Sequence, residues 1–109
     1  MTSFSIDVRV SGRECELLVA GDVDVSVAGQ LTTVGVKSAE EVDADSVVID
    51  LGDVTFLDST GLGALIEIRK AWQAAARSVQ LRNVPDRVWK VMEITGLDTV
   101  FETDLFAGL

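Results

Sequence analysis

The stretch Val47-Val48-Ile49-Asp50-Leu51-Gly52-Asp53-Val54-Thr55-Phe56-Leu57-Asp58-Ser59-Thr60-Gly61-Leu62-Gly63 decides the fold of this chain. Residues 46–51 are nearly continuously apolar, which suits a central strand buried on both faces. From Leu62 the period changes: Leu62, Leu65, Ile66, Arg69 and Trp72 fall at helical spacing. A strand-and-loop segment therefore delivers the chain into a helix N-terminus at Asp58-Ser59-Thr60. Free backbone N–H groups and the positive end of the helix dipole meet there, so the place tolerates an anion or a phosphate. Hydroxyls at such a position are either caps or the target of a phosphate.

Working outward, Phe4, Ile6, Val8 and Val10 alternate with polar residues and predict a half-buried strand. Ser11-Gly12-Arg13 reads as a turn into a second strand, Glu14 to Ala20. After Gly21-Asp22-Val23-Asp24, the spacing of Val27, Leu31, Val34 and Val42 predicts a helix with Ser26 as N-cap and Glu40 and Glu41 outward. Thr32-Thr33-Val34-Gly35-Val36 are poor helix formers within it. A helix over Leu62–Ala76 and a strand over Ser78–Arg82 follow. Pro85 suits a first helical position and Asp86 complements the dipole of a further helix. That helix carries Val88, Val91 and Met92, and Gly96 is placed as its C′ residue. Val100-Phe101 reads as a last short strand. The alternation implies an α/β fold: a small mixed β-sheet of about four to five strands, a hairpin at one edge, and helices packed on it.

At 109 residues, the chain is expected to be one domain with a core over about residues 4–102 and a tail, 103–109, that includes Leu105, Phe106 and Leu109. Its 48% hydrophobic and 25% charged content is that of a globular protein. The net charge of −9 argues against direct nucleic-acid binding. All of that charge lies in residues 1–58, with twelve acids and three bases; residues 59–109 carry six of each. An acidic half suits either a basic docking partner or simple solubility. Cys15, in a strand pattern, is the only cysteine, so no internal disulfide forms and a core role is favoured over a redox one. The start has no basic n-region, and no segment reaches the ~18 apolar residues of a membrane span. The cytoplasm is the expected location.

Two glycines in the first turn of a helix break the local rule, each at about 1 kcal/mol against alanine in an interior position. Gly61 and Gly63 either clear space beside Ser59 for a partner or permit tight helix-on-sheet packing. Asp58, Ser59 and Thr60 are all good caps, and three in a row exceed what one cap needs. Asp22 and Asp24 end the second strand, either as a turn with an N-cap or as a loop beside Ser59. Trp72 and Trp89 lie next to apolar neighbours and are expected in the core. The chain has no histidine, which removes Ser-His-Asp and Cys-His nucleophile arrangements. No cluster has transition-metal ligand spacing, and no phosphate loop or dinucleotide fingerprint occurs. A non-catalytic protein with no cofactor and no metal is expected.

Residues 47–63 resemble the signature of the STAS domain, specifically that of the bacterial anti-sigma factor antagonists. Gly21-Asp22-Val23-Asp24 is similar to a second family segment, and Pro85 to Phe101 is similar to the family's last helix and closing strand. The resemblance implies partner switching. An anti-sigma factor, itself a serine kinase with a GHKL-type ATP site, holds a sigma factor inactive until the unphosphorylated antagonist binds it. The kinase phosphorylates the antagonist and so releases it, and a PP2C-type phosphatase resets the cycle. The phosphoacceptor maps onto Ser59, with Thr60 the second choice, and Asp22, Asp24, Asp58, Gly61, Leu62 and Gly63 form the partner-binding neighbourhood. A monomer or weak dimer is expected. One segment departs from the family: where many members have a threonine and a proline opening the first helix, this chain has Val27 and Gly29, with Ser26 available as cap. The alternatives are a stressosome-type scaffold or decoy and a soluble STAS subunit of a lipid ABC transporter, neither of which needs a modified Ser59.

Overall fold

The structure, a computed structural model, describes residues 3–101 and Asp104. One four-stranded sheet carries the order β1-β2-β3-β4, formed by Ser5–Ser11, Glu14–Val23, Ser46–Leu57 and Ser78–Arg82. β1 pairs antiparallel with β2 through the turn at Gly12, where φ is 59°; β2, β3 and β4 run parallel. Helices α1 (Val25–Glu41) and α2 (Ser59–Ala74) pack on each other and on the sheet, and α3 (Asp86–Ile94) packs on β3. A single helical turn, α4 (Asp98–Phe101), follows.

Alternation along β2 fixes the layers. Cys15, Leu17, Val19, Gly21 and Val23 are buried, while the residues between them are half-buried. Leu31 of α1 and Leu65, Ile68 and Trp72 of α2 complete that core. Burial pushes the Cys15 thiol above its ordinary value, opposed weakly by the Arg77 guanidinium, so the thiolate is disfavoured.

α1 buries Leu31, Gly35, Ser38 and Ala39; of the other expected positions, Val27 and Val42 pack half-buried against the core, and Val34 is only half-buried. The small residues let α2 come close. A Cβ at Gly35 would sit 2.4 Å from Ile68 Cδ1, and the buried Trp72 indole N–H donates to the Gly35 carbonyl at 3.2 Å. Gly35, a weak point for helix propensity, is thus required by the helix–helix contact.

Other sequence expectations are revised. β2 and β3 run past Ala20 and Leu51 because two register shifts absorb extra residues of β3, one between Asp50 and Asp53 and one between Val54 and Phe56. Val100-Phe101 is helical, not a fifth strand: the Val100 and Phe101 N–H groups donate to the Leu97 carbonyl, and Phe101 plugs the core. Pro85 caps α3 from outside instead of opening it. Gly96 does stop α3, with φ at 75° and the Leu97 N–H closing on the Met92 carbonyl at 2.8 Å. α2 ends in the same way with Ala76 in the left-handed position, φ 59°. Trp72 is buried and Trp89 packs half-buried against the core. Val8 and Val10, expected half-buried, are exposed. Of the tail, only Asp104 is described; it is buried and ion-paired with Arg69 of α2, while Leu105, Phe106 and Leu109 lie outside the described residues. Among the described residues, no helix is long and apolar enough to cross a membrane.

Candidate functional site

Parallel pairing of Val23 with Leu57 ends β2 and β3 side by side, and the Asp58 N–H donates to the Val23 carbonyl at 3.3 Å. Each strand feeds a helix within two residues. The N-termini of α1 and α2 therefore emerge together at one end of the sheet, which brings Asp22, Asp24, Asp58 and Ser59 into one neighbourhood.

Asp58 is the N-cap of α2, with extended backbone (φ −103°). Its Oδ1 accepts from the Thr60 N–H at 3.0 Å, the Gly61 N–H at 3.1 Å and the Thr60 hydroxyl at 2.5 Å. These donors, the Thr60 hydroxyl foremost, hold the carboxyl below the ordinary aspartate range against the opposing effect of desolvation. Asp58 is thus an anion whose donors are already engaged.

Ser59 is the first residue of α2, exposed, and its hydroxyl has no hydrogen-bond partner among the described residues. Thr60 is exposed too, but its hydroxyl is tied to Asp58. The two hydroxyls that sequence reasoning placed together are chemically distinct.

The two glycines also part. A Cβ on Gly61 would lie 2.8 Å from Val23 Cγ1, 3.0 Å from the Val23 carbonyl oxygen and 3.1 Å from Leu57 Cγ. Gly61 is buried for packing, so the partner-clearance reading of it gives way. A Cβ on Gly63 would meet nothing within 4 Å. Leu62, placed in the partner-binding neighbourhood by the sequence, is wholly buried in the core and presents no side chain to a partner.

Asp24, not Ser26, caps α1: its Oδ1 accepts from the Ser26 N–H at 2.9 Å and the Ser26 hydroxyl at 2.5 Å. Ser26 assists by donating, because only a residue before the first turn can reach back over its N–H groups. Asp22 is held within the sheet by the Thr55 hydroxyl, which donates to its Oδ1 at 2.6 Å.

Two residues absent from the sequence-based site stand at this end of the molecule. Val25 is 75% exposed at the start of α1, and Phe56 is 49% exposed opposite Asp22 in the register. Phe56 could have been found: it alternates with the core residue Leu57 and must face away from it. A cavity of about 520 Å³ lies elsewhere, lined by Asp7, Arg9, Asp50, Asp53 and Asn83 among others. Ser59 stands instead on a surface bordered by exposed apolar side chains and carboxylates, a shape suited to a macromolecular partner.

The family described as "Mlab, STAS domain" matches residues 6–105. The chain therefore belongs to the STAS domain family. An anti-sigma-B factor antagonist from Bacillus subtilis (strain 168) is 32% identical over 100 residues, covering 92% of this chain and 90% of that protein. One from Listeria monocytogenes is 30% identical over 105 residues, covering 90% and 88%. Among solved structures, an anti-sigma factor antagonist from Mycobacterium paratuberculosis superposes with a TM-score of 0.78 at 24% identity, over 96% of this chain and 86% of that one, and so shares its fold.

Proposed function

We infer that this chain is an anti-sigma factor antagonist that is switched by phosphorylation of Ser59. Near full-length similarity to two proteins of that name supports the class of function. The observation that carries the switch is the exposed, unengaged Ser59 hydroxyl beside a Thr60 hydroxyl already donated to Asp58. The partner is an anti-sigma factor serine kinase of the GHKL type, acting in the cytoplasm; a PP2C-type phosphatase restores the hydroxyl. The chain itself is acted upon and performs no catalysis.

In the forward step, Ser59 Oγ takes the γ-phosphoryl group of ATP, its proton leaves and ADP departs. The product carries about −1.5 to −2 charge at neutral pH. Asp58 already occupies the Thr60 and Gly61 N–H groups, so the phosphate gains little from the helix terminus. Its effect falls on the interface, where a dianion beside the ionised Asp58 is repelled or must be desolvated. Val25, Phe56, Asp24 and Gly63 make up the rest of the docking surface.

Titration of the cognate kinase with wild type, Ser59→Ala and Ser59→Glu, alongside intact mass after incubation with ATP, tests this. Wild type should gain one phosphate and Ser59→Ala none, with Ser59→Ala binding persistently and Ser59→Glu at least about 100-fold weaker than wild type. Equal affinity of wild type and Ser59→Glu would sink the switch. Retention of an ABC transporter instead of a kinase in a pull-down would favour a lipid-transport subunit.

A further inference from the structure

We propose that β1 is a self-association edge, through which two copies pair antiparallel into one continuous eight-stranded sheet. Among the described residues, β1 pairs with β2 on one side only and stands at the end of the strand order. Natural edge strands are commonly blunted by charged side chains, proline, a bulge or brevity. β1 has no proline and no bulge: it runs seven residues, Ser5-Ile6-Asp7-Val8-Arg9-Val10-Ser11, in unbroken register with β2, and its two charges, Asp7 and Arg9, are of opposite sign.

Ile6, Val8 and Val10 share a face with their register partners Val19, Leu17 and Cys15, the face that the helices cover. The cover stops short of the edge. Val8 is 40% and Val10 53% exposed, while Leu17 and Cys15 opposite them are wholly buried. On the other face, Arg9 stands opposite Glu16, yet Glu16 is taken from across β3 by Arg82 at 2.8 Å. Neither Asp7 nor Arg9 has an ion-pair partner among the described residues.

Charge selects the occupant and the register. Antiparallel pairing of a strand with its own copy must place like faces together, so the twofold axis passes through a residue. Centred on Asp7 or on Arg9, it sets like charges against each other. Centred on Val8, it sets Asp7 against the second copy's Arg9 and Arg9 against its Asp7. The apolar face then matches Ile6 with Val10 and Val8 with Val8, and Ser5 meets Ser11. The edge is self-complementary on both faces in that single register. A twofold normal to the sheet keeps the helices of both copies on one side and sends the two Ser59 ends in opposite directions, leaving both open. A strand edge of this length is small against the ~1,200–2,000 Å² of stable interfaces, so the dimer is a weak one.

Sedimentation velocity at concentrations up to about 500 µM and about 0.15 M salt tests the pairing, with circular dichroism confirming that each variant is folded. Wild type should populate a dimer as concentration rises. Asp7→Arg and Arg9→Asp should each weaken it by about tenfold or more, since both symmetry-related pairs become repulsive. Mixed in equal amounts, those two variants should associate with each other more strongly than either does with itself; both stay net negative, so bulk attraction cannot explain it. Val8→Lys, which sets two ammonium groups across the axis, should give a monomer. The proposal is overturned if wild type stays monomeric throughout the range, if Val8→Lys leaves a dimer intact, or if the mixture associates no better than its components.

Discussion

The N-termini of α1 and α2 are built from the same device and differ in what it leaves outside. Asp24 and Asp58 each accept from the N–H and the hydroxyl of the residue two further on, Ser26 or Thr60, at nearly identical distances. Each helix also carries a glycine five residues after its aspartate, Gly29 and Gly63, with open space where a Cβ would be. Between aspartate and hydroxyl stands the first helical residue, exposed in both: Val25 in α1, Ser59 in α2. A cap closed by aspartate and the third residue needs nothing from the second, as Val25 demonstrates. The hydroxyl of Ser59 is therefore not used by the cap.

The largest expected difference between the two termini is in packing. Gly61 matches Val27 of α1, but only Gly61 is pressed against Val23 and Leu57. Gly61→Ala should destabilise by about 2 kcal/mol in urea unfolding despite alanine's better helix propensity. A neutral or stabilising result would show that α2 slides as easily as α1, and that Gly61 is there for something other than packing.

The caps come next. Asp58 accepts three hydrogen bonds and Asp24 two. Asp58→Ala should cost about 1–2 kcal/mol, and Asp24→Ala less, toward the lower end of the usual range for lost caps. The Asp58 carboxyl is held below its ordinary value, so it contributes stability that is fully present above the unfolded aspartate value of about 4. That contribution fades as pH falls through the lower folded value. Comparing unfolding midpoints of wild type and Asp58→Asn from pH 7 to about pH 2, the gap between them should narrow as the pH drops below about 4. A constant gap would assign the effect to shape rather than charge.

Smaller still are the two open glycines. Gly29→Ala and Gly63→Ala should each stabilise by about 0.5–1 kcal/mol, because alanine removes backbone entropy and meets no neighbour. Gly63 lies in the first turn beside Ser59, so Gly63→Ala should also weaken binding to the proposed kinase partner. A stabilised Gly63→Ala with unchanged affinity would place the docked partner away from that face.

What could be read from the sequence follows the range of the interactions. The stop of α3 at Gly96 depends on neighbours a few residues apart, and β4, though paired with the distant β3, carries an alternating pattern of its own; both are legible. The end of α2 was harder, because Ala76 takes a left-handed conformation without the glycine that normally signals it. β3 continues past Gly52-Asp53 only because it bulges there and again before Phe56 while β2 stays regular beside it, which no local pattern reveals. The stripe of α1 is only partly legible because Gly35 is buried for the sake of Ile68 and Trp72 in another helix. In the site, the type and position of Asp58 and Ser59 were legible. The division of labour between the hydroxyls of Ser59 and Thr60 was not, since it depends on which one reaches back to Asp58.

The smallest expected effect on stability separates folding from function most cleanly. Ser59→Val makes the first residue of α2 equal to that of α1, and Val25→Ser does the reverse. Neither side chain holds a cap, so each variant should unfold within about 0.5 kcal/mol of wild type. With stability matched, the functional outcomes should diverge. On the proposed switch, Ser59→Val should take no phosphate, and Val25→Ser should weaken binding to the proposed kinase by removing an exposed apolar side chain while leaving Ser59 modifiable. Modification of Ser59→Val at Thr60 would mean that Asp58 releases the Thr60 hydroxyl on docking, and that the cap rearranges when the partner binds. Loss of stability in either variant would return the first helical residue to a structural role, and the likeness of the two termini would no longer isolate the switch.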